Sequence, residues 1–192
     1  ASIGANNYFH SPERITLYTA YEKRFLYPSK TAIFTMCNSY INFINSNTAW
    51  AMPSDYINKQ DHVKASYKQY KDGIEVEKGF KSEVQAISFK DNADALRGKD
   101  AYDIIIEEAG AFGTPGLLKS CYMASEDCVK DGVNKTGMIT IFGTSGDMEG
   151  GTADYAEMFQ NPERFELLPF ENVFEEKTKS SIGFFHPVNW NM

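Results

Sequence analysis

Tyr102-Asp103-Ile104-Ile105-Ile106-Glu107-Glu108 (YDIIIEE) is the stretch on which the reading of the fold turns. Three consecutive isoleucines leave no polar face, so a strand here must be buried on both sides, as in a parallel sheet covered by helices. Met138 to Phe142 (MITIF) repeats the pattern. Around these two lie further β-branched and aromatic runs. They are Ile15 to Ala20 (ITLYTA), Glu83 to Phe89 (EVQAISF) after the alternating Ile74 to Glu77, and Phe165 to Phe170 (FELLPF), whose Pro169 marks an edge or an end. Helical spacing fills the gaps. Ile33, Cys37, Tyr40 and Ile44, with Phe34 and Ile41 beside them, predict one buried face. Leu117 to Val129 reads as a second helix, and Ala153 to Phe159 as a third with Thr152 as its N-cap. Ala1 to Phe9 reads as the end of another helix, broken by Ser11-Pro12. Strands alternating with helices predict an α/β fold, a mostly parallel sheet flanked by helices.

Composition narrows the function classes. A length of 192 residues fits one domain, and 42% hydrophobic with 23% charged residues is ordinary globular composition rather than disorder. No apolar run approaches the roughly 18 residues of a spanning helix, and no basic start followed by an apolar stretch marks a secretion signal. Cys37, Cys121 and Cys128 are too few and odd in number for a disulfide framework, which favours a reducing compartment. The net charge of −7 argues against holding nucleic acid by bulk electrostatics. Asn45 to Gly73 is polar and irregular and reads as an excursion or lid outside the core sheet. Within it Lys59, Lys64, Lys68 and Lys71 thread through Tyr56, Tyr67 and Tyr70, a mixture that can track a nucleic-acid backbone but is by default a solvated surface. His10, His62 and His186 have no zinc-type spacing.

In parallel α/β sheets ligands bind beyond the carboxyl ends of the strands, which directs attention past Ile106 and past Phe142. Past Ile106 stand Glu107 and Glu108. On a strand, adjacent side chains point to opposite sides, so two acids at its end can divide labour, one toward Mg²⁺ and one toward an attacking water. Past Phe142 stands Gly143-Thr144-Ser145-Gly146, where glycine permits close backbone approach and the hydroxyls can bond a phosphate oxygen. Arg97, in Leu96-Arg97-Gly98-Lys99, can meet phosphate with its planar fork. Singly, each is more simply a strand end or a solvated turn; the two strand ends as a pair stand about where a phosphate would sit.

This set of features resembles the ATPase core of the large terminase subunits of tailed bacteriophages, the motors that package viral DNA. LRGKDAYDIIIEEAGAF (Leu96 to Phe112) is similar to the family's Walker B region. ITIFGTSGDMEGGTADYAEMFQNPERF (Ile139 to Phe165) is similar to its coupling motif and the helix beyond, and GFFHPVNWNM (Gly183 to Met192) to the segment leading out of that domain. The resemblance implies a P-loop NTPase core of the RecA-like (ASCE) type, incomplete at its N-terminus, with residues 1–192 as one partial ATPase domain. It implies ATP and Mg²⁺ as cofactors, Glu107 in the Mg²⁺-associated role and Glu108 as the carboxylate that activates water. It gives Thr144 γ-phosphate sensing, Gly143, Thr144 and Ser145 the coupling role, and Arg97 a phosphate contact. The implied partners are double-stranded DNA, the portal and other terminase subunits, in a homo-oligomeric ring in the host cell cytoplasm and away from membranes. DNA-contact residues are not assigned.

Two departures from the family pattern stand out. The first acid of a Walker B pair is usually Asp, whereas Glu107 is one methylene longer, which would move it towards direct metal contact. No G-x-x-x-x-G-K-[ST] loop occurs, and the one Gly-Lys pair, Gly98-Lys99, is followed by Asp100. Without that cradle the chain's own nucleotide affinity is expected to be poor. Starting at Ala1 rather than Met, the chain is expected to begin just downstream of the Walker A loop and to end before the family's nuclease domain. The alternatives are a catalytically silent fragment that keeps only interaction surfaces, and an unrelated α/β hydrolase using Glu107 and Glu108 as an acid–base pair.

Overall fold

The structure, a computed structural model, describes residues 7, 13–22, 24–26, 62–90, 92–144, 151–171 and 179–181. The helices expected over Ala1 to Phe9 (Asn7 excepted) and Ile33 to Ile44, the segment 45–61, Ser145 and the closing Gly183 to Met192 lie outside these residues, as do Cys37, His10 and His186. The chain falls into two compact units, Ala1–Glu108 with Cys121–Gly143, and Ala109–Ser120 with Thr144–Met192.

The first unit is built on a sheet that, among the described residues, has five strands: β1 (Ile15–Ala20), β2 (His62–Lys71), β3 (Ile74–Ser88), β4 (Asp103–Glu107) and β7 (Met138–Ile141), in the order β2-β3-β1-β4-β7. A two-stranded hairpin, β5 (Lys130–Asp131) and β6 (Asn134–Lys135), precedes β7. Strands β3, β1, β4 and β7 are mutually parallel. This is the α/β, mostly parallel arrangement expected from the two apolar runs. Leu17, Ile104 and Ile106 on one face have no exposed surface, and Tyr18 and Ile105 on the other are at most 2% exposed, so the centre of the sheet is buried on both faces.

Two strands depart from expectation. Residues 62–71, read from the sequence as part of an excursion outside the core sheet, are β2, paired antiparallel with β3 at the sheet edge. The turn between them is Asp72-Gly73, with φ of +52° and +77°. Two successive positive φ values match the right-handed twist of a tight hairpin, and Asp-Gly is a favoured pair for it, so the local signal was present in a stretch that composition marked as irregular. Between Lys64 and Ser66 the register shifts and one β2 residue faces three of β3, a bulge that bends the hairpin. The other departure is β7. It pairs with β4, but Met138 is 53% and Phe142 41% exposed. Its apolar sequence therefore belongs to the edge of the described sheet, with β4 as its one described partner, and not to a strand covered on both faces.

The chain returns from β4 towards β7 through α1 (Leu117–Glu126), which passes into a 3₁₀ turn over Asp127–Val129. Leu118, Cys121, Tyr122 and Ser125 are buried and Met123 is exposed, a single stripe at helical spacing. Cys121 and Cys128 are buried free thiols. Burial, with the nearby charge of Asp94, pushes the Cys121 thiol up to about 12. The Cys128 thiol donates to the Leu96 carbonyl at 3.0 Å.

The second unit joins the segment after Glu108 to the helix α2 (Gly151–Gln160). A hairpin, β8 (Pro169–Glu171) with β9 (Lys179–Ser181), completes its described part; Phe165 ends a 3₁₀ turn rather than opening a strand. Thr152, expected to cap α2, lies instead inside its first turn, and its hydroxyl donates to the Gly110 carbonyl at 3.3 Å. The Gly151 N–H donates to the Phe112 carbonyl at 2.5 Å, and the Gly116 N–H donates to Asp154 Oδ1 at 3.0 Å. Lys119 bridges the buried Asp154 (3.2 Å) and Glu157 (2.8 Å), and Arg164 also pairs with Glu157 at 2.7 Å. The stitching is close enough that a Cβ on Gly151 would lie 2.5 Å from that of Phe112 and 2.6 Å from its carbonyl oxygen. Gly151→Ala is accordingly expected to destabilise the protein by about 1–3 kcal/mol, the usual cost of overpacking, measured as a lowered urea midpoint at constant slope.

Candidate functional site

Parallel register aligns the carboxyl ends of the central strands. Ala20 of β1 pairs with both Ser88 of β3 and Glu107 of β4. Ile106 pairs with Ile141 of β7, and the Phe142 N–H extends that ladder by donating to the Ile106 carbonyl at 3.0 Å. Glu107 and Gly143 therefore leave neighbouring strands side by side. The strand ends that carry the acid pair and Gly143 are thus adjacent.

The two acids do not simply alternate as on a continuing strand. Glu107, the last residue of β4, is only 7% exposed. Its carboxylate accepts a hydrogen bond from the hydroxyl of Tyr18, itself buried on β1. Glu108 follows with φ of +50°, a left-handed conformation that costs a non-glycine residue roughly 1–2 kcal/mol. The other described non-glycine residues with positive φ are Glu13, Asp72 and Glu166, in turns or at a helix end. Glu108 alone among them sits at the carboxyl end of a buried parallel strand, half-buried, where the chain breaks from β4 into the 3₁₀ turn Ala109–Ala111. Such an outlier is the kind of feature that marks a functional position.

The remaining candidates are placed as follows. Gly143 is half-buried and Thr144 exposed, immediately after β7; Ser145 lies outside the described residues. Arg97 is exposed, its guanidinium 3.0 Å from Asp94 Oδ1 in its own turn. Tyr18 was missed by sequence reasoning. No spacing rule links a tyrosine on one strand to an acid 89 positions later; the available signal was a lone aromatic hydroxyl in the strand next to the acidic one.

A second buried acid lies at the other end of β4. Asp103 is 5% exposed, and Asn7 donates from Nδ2 to its carboxylate and, at 3.5 Å, to the Thr16 hydroxyl. Burial raises its pKa above the ordinary carboxylate value, and the Asn7 hydrogen bond opposes that only in part. At about 3.3 Å per residue it is some 13 Å from Glu107 along the strand and belongs to the sheet's amino edge. A cleft of about 360 Å³ opens at that edge, lined by Glu13, Arg14, Asp100, Tyr102, Lys130 and Asp131 among others. Arg14 stacks there at 4.0 Å from the Tyr102 ring centroid. Its charges are mixed, and it does not include the acid pair.

The fold has solved counterparts. The ATPase domain of the Thermus phage P74-26 large terminase, in a mutant with one arginine replaced by alanine, aligns with a TM-score of 0.51 at 11% identity, over 75% of this chain and 53% of its own. The same domain without that replacement aligns at 0.45 with 14% identity, over 74% and 52%. The HK97 bacteriophage large terminase aligns at 0.42 with 9% identity, over 80% and 28%. This chain thus spans about half the length of the ATPase domain it matches. No family model matches the sequence, and no curated protein is significantly similar to it. The first alignment establishes the fold: an α/β core of the kind found in phage large-terminase ATPase domains. Among the described residues no helix is long and apolar enough to cross a membrane.

Asp103 gives a pH signature independent of any ligand. Its pKa is raised in the folded state, so its favourable contribution is complete below the ordinary carboxylate value of 3.8 and is lost as pH rises through the folded value. Asp103→Asn, which can still accept from Asn7, is expected to gain stability over the unaltered protein progressively as pH rises above about 3.8, and then to hold a constant advantage. Urea midpoints of the two proteins from pH 3 to 8 check this; parallel curves would rule it out.

Proposed function

We propose that this chain is the nucleotide-hydrolysing part of a motor that drives double-stranded DNA into a viral procapsid. The observation that carries the reading is the acid pair Glu107–Glu108 at the carboxyl end of β4, with Gly143 leaving the adjacent strand, in a chain with the fold of a large-terminase ATPase domain. Glu108 is the general base. Its backbone leaves the strand in a left-handed conformation, and the carboxylate of this half-buried residue orients and deprotonates the water that attacks the γ-phosphate. Gly143 lets the backbone approach phosphate closely, the exposed Thr144 offers a hydroxyl to a phosphate oxygen, and Gly143, Thr144 and Ser145 relay its loss to the rest of the motor. Arg97 supplies a phosphate contact once released from Asp94. The neighbouring partners in this reading are further terminase subunits in a homo-oligomeric ring, the portal and DNA, in the host cytoplasm.

The donor chemistry fits Mg²⁺ arriving with nucleotide. Carboxylate oxygens are hard ligands, and the described residues contain no group of three or more His, Cys, Asp or Glu that would hold a cation unaided. Mg²⁺ commonly takes one or two carboxylates and completes its shell with water and phosphate oxygens. Glu107 would hold it, and when bound the ion would neutralise charge on the transferring phosphoryl group.

Glu108→Gln in the intact protein should lower ATP turnover by roughly 10²–10⁴-fold while Mg²⁺-ATP still binds; unchanged turnover would overturn the assignment. A second reading, of a silent fragment, is favoured for the isolated 192 residues by their lack of a G-x-x-x-x-G-K-[ST] loop. Calorimetric titration of this chain with ATP and Mg²⁺ should accordingly show no binding tighter than about 100 μM. Tight binding would contradict the importance given to that loop.

A further inference from the structure

Parallel register places Thr16, Tyr18 and Ala20 of β1 opposite Asp103, Ile105 and Glu107 of β4, so these six side chains share one face. Glu107 stands across from Ala20, which is too short to meet it, and instead reaches diagonally to the hydroxyl of Tyr18. With strands about 4.8 Å apart and a rise of about 3.3 Å per residue, that diagonal is about 8 Å between Cα atoms. A tyrosine ring covers most of it and the acid must close the rest. Aspartate, shorter by one C–C bond of about 1.5 Å, would draw its carboxylate back from the hydroxyl.

From this geometry we infer that Tyr18 is a positioning residue for Glu107, and that the extra methylene of Glu107 serves this bond rather than a longer reach towards metal. The inference rests on the ATPase reading above. Both side chains are almost wholly buried, so the phenol supplies a donor where little water can reach the carboxylate. A carboxylate held by a rigid two-torsion side chain keeps one orientation, which an acid ordering a metal and its water shell requires. The small Ala20 is part of the device, because a larger side chain there would occupy the space through which Glu107 bends.

The test uses the intact protein and the variants Tyr18→Phe, Glu107→Asp and their combination. In a Glu108→Gln background, where turnover is suppressed, the Mg²⁺ concentration giving half-saturation of ATP binding should rise roughly 10- to 100-fold in Tyr18→Phe. In the active background kcat should fall by a similar factor with little change in KM for ATP. Glu107→Asp should show the same direction. The double variant should be scarcely worse than the poorer single one, since one bond cannot be lost twice. Urea midpoints verify that each variant is folded. A Tyr18→Phe protein with unaltered Mg²⁺ dependence and kcat, or fully additive losses in the double variant, would overturn the proposal while leaving the ATPase reading intact. If the unaltered protein neither hydrolyses ATP nor binds it with Mg²⁺, the ATPase reading itself fails and this proposal with it.

Discussion

A strand buried on both faces has no water with which to satisfy an ionisable side chain, and β4 carries one at each end. Asp103 and Glu107 flank three isoleucines that exclude solvent almost completely, so each acid depends on a donor brought by another part of the chain. Asn7 serves the first and Tyr18 the second. Both donors meet the same face of the β1–β4 pair, so the parallel register of those two strands is the condition for either bond. A slip of one residue would turn Tyr18 to the other face and leave Glu107 buried without it.

The same constraint shapes the carboxyl edge. Glu107 closes the strand inside the sheet, and the backbone then turns abruptly at Glu108 through a left-handed conformation. Two adjacent acids of identical chemistry thereby receive different surroundings, one buried and tied to a phenol, the other half-buried at a strained turn. Beyond them the chain enters a second unit, where α2 is laced to residues 110, 112 and 116 by Thr152, Gly151 and Asp154. The segments that follow Glu108 and Gly143 are thus joined to one another by hydrogen bonds.

Much of the fold was legible because a doubly buried strand needs an apolar run, and no solvated element shares that pattern. Ile104 to Ile106 and the β-branched Ile15 to Ala20 declared themselves in this way. Legibility failed where composition and pairing disagree. The lysine-rich residues 62–71 look solvated yet form an edge strand, since an edge needs a ladder on only one side and tolerates polar residues. Met138 to Phe142 looks doubly buried yet lies at the edge of the described sheet. Apolar content shows that a strand suits burial but is silent about what covers it.

For the site, the sequence alone supplied the candidates and their approximate address: two acids beyond one apolar strand, glycine and hydroxyl residues beyond another, and no G-x-x-x-x-G-K-[ST] motif between residues 1 and 192. These follow from residue type and local order, which a linear text records in full. Tertiary structure decided which acid is held and by what. Tyr18 and Glu107 are 89 residues apart in sequence, and only the β1–β4 register brings a phenol to a carboxylate on an almost wholly buried side chain.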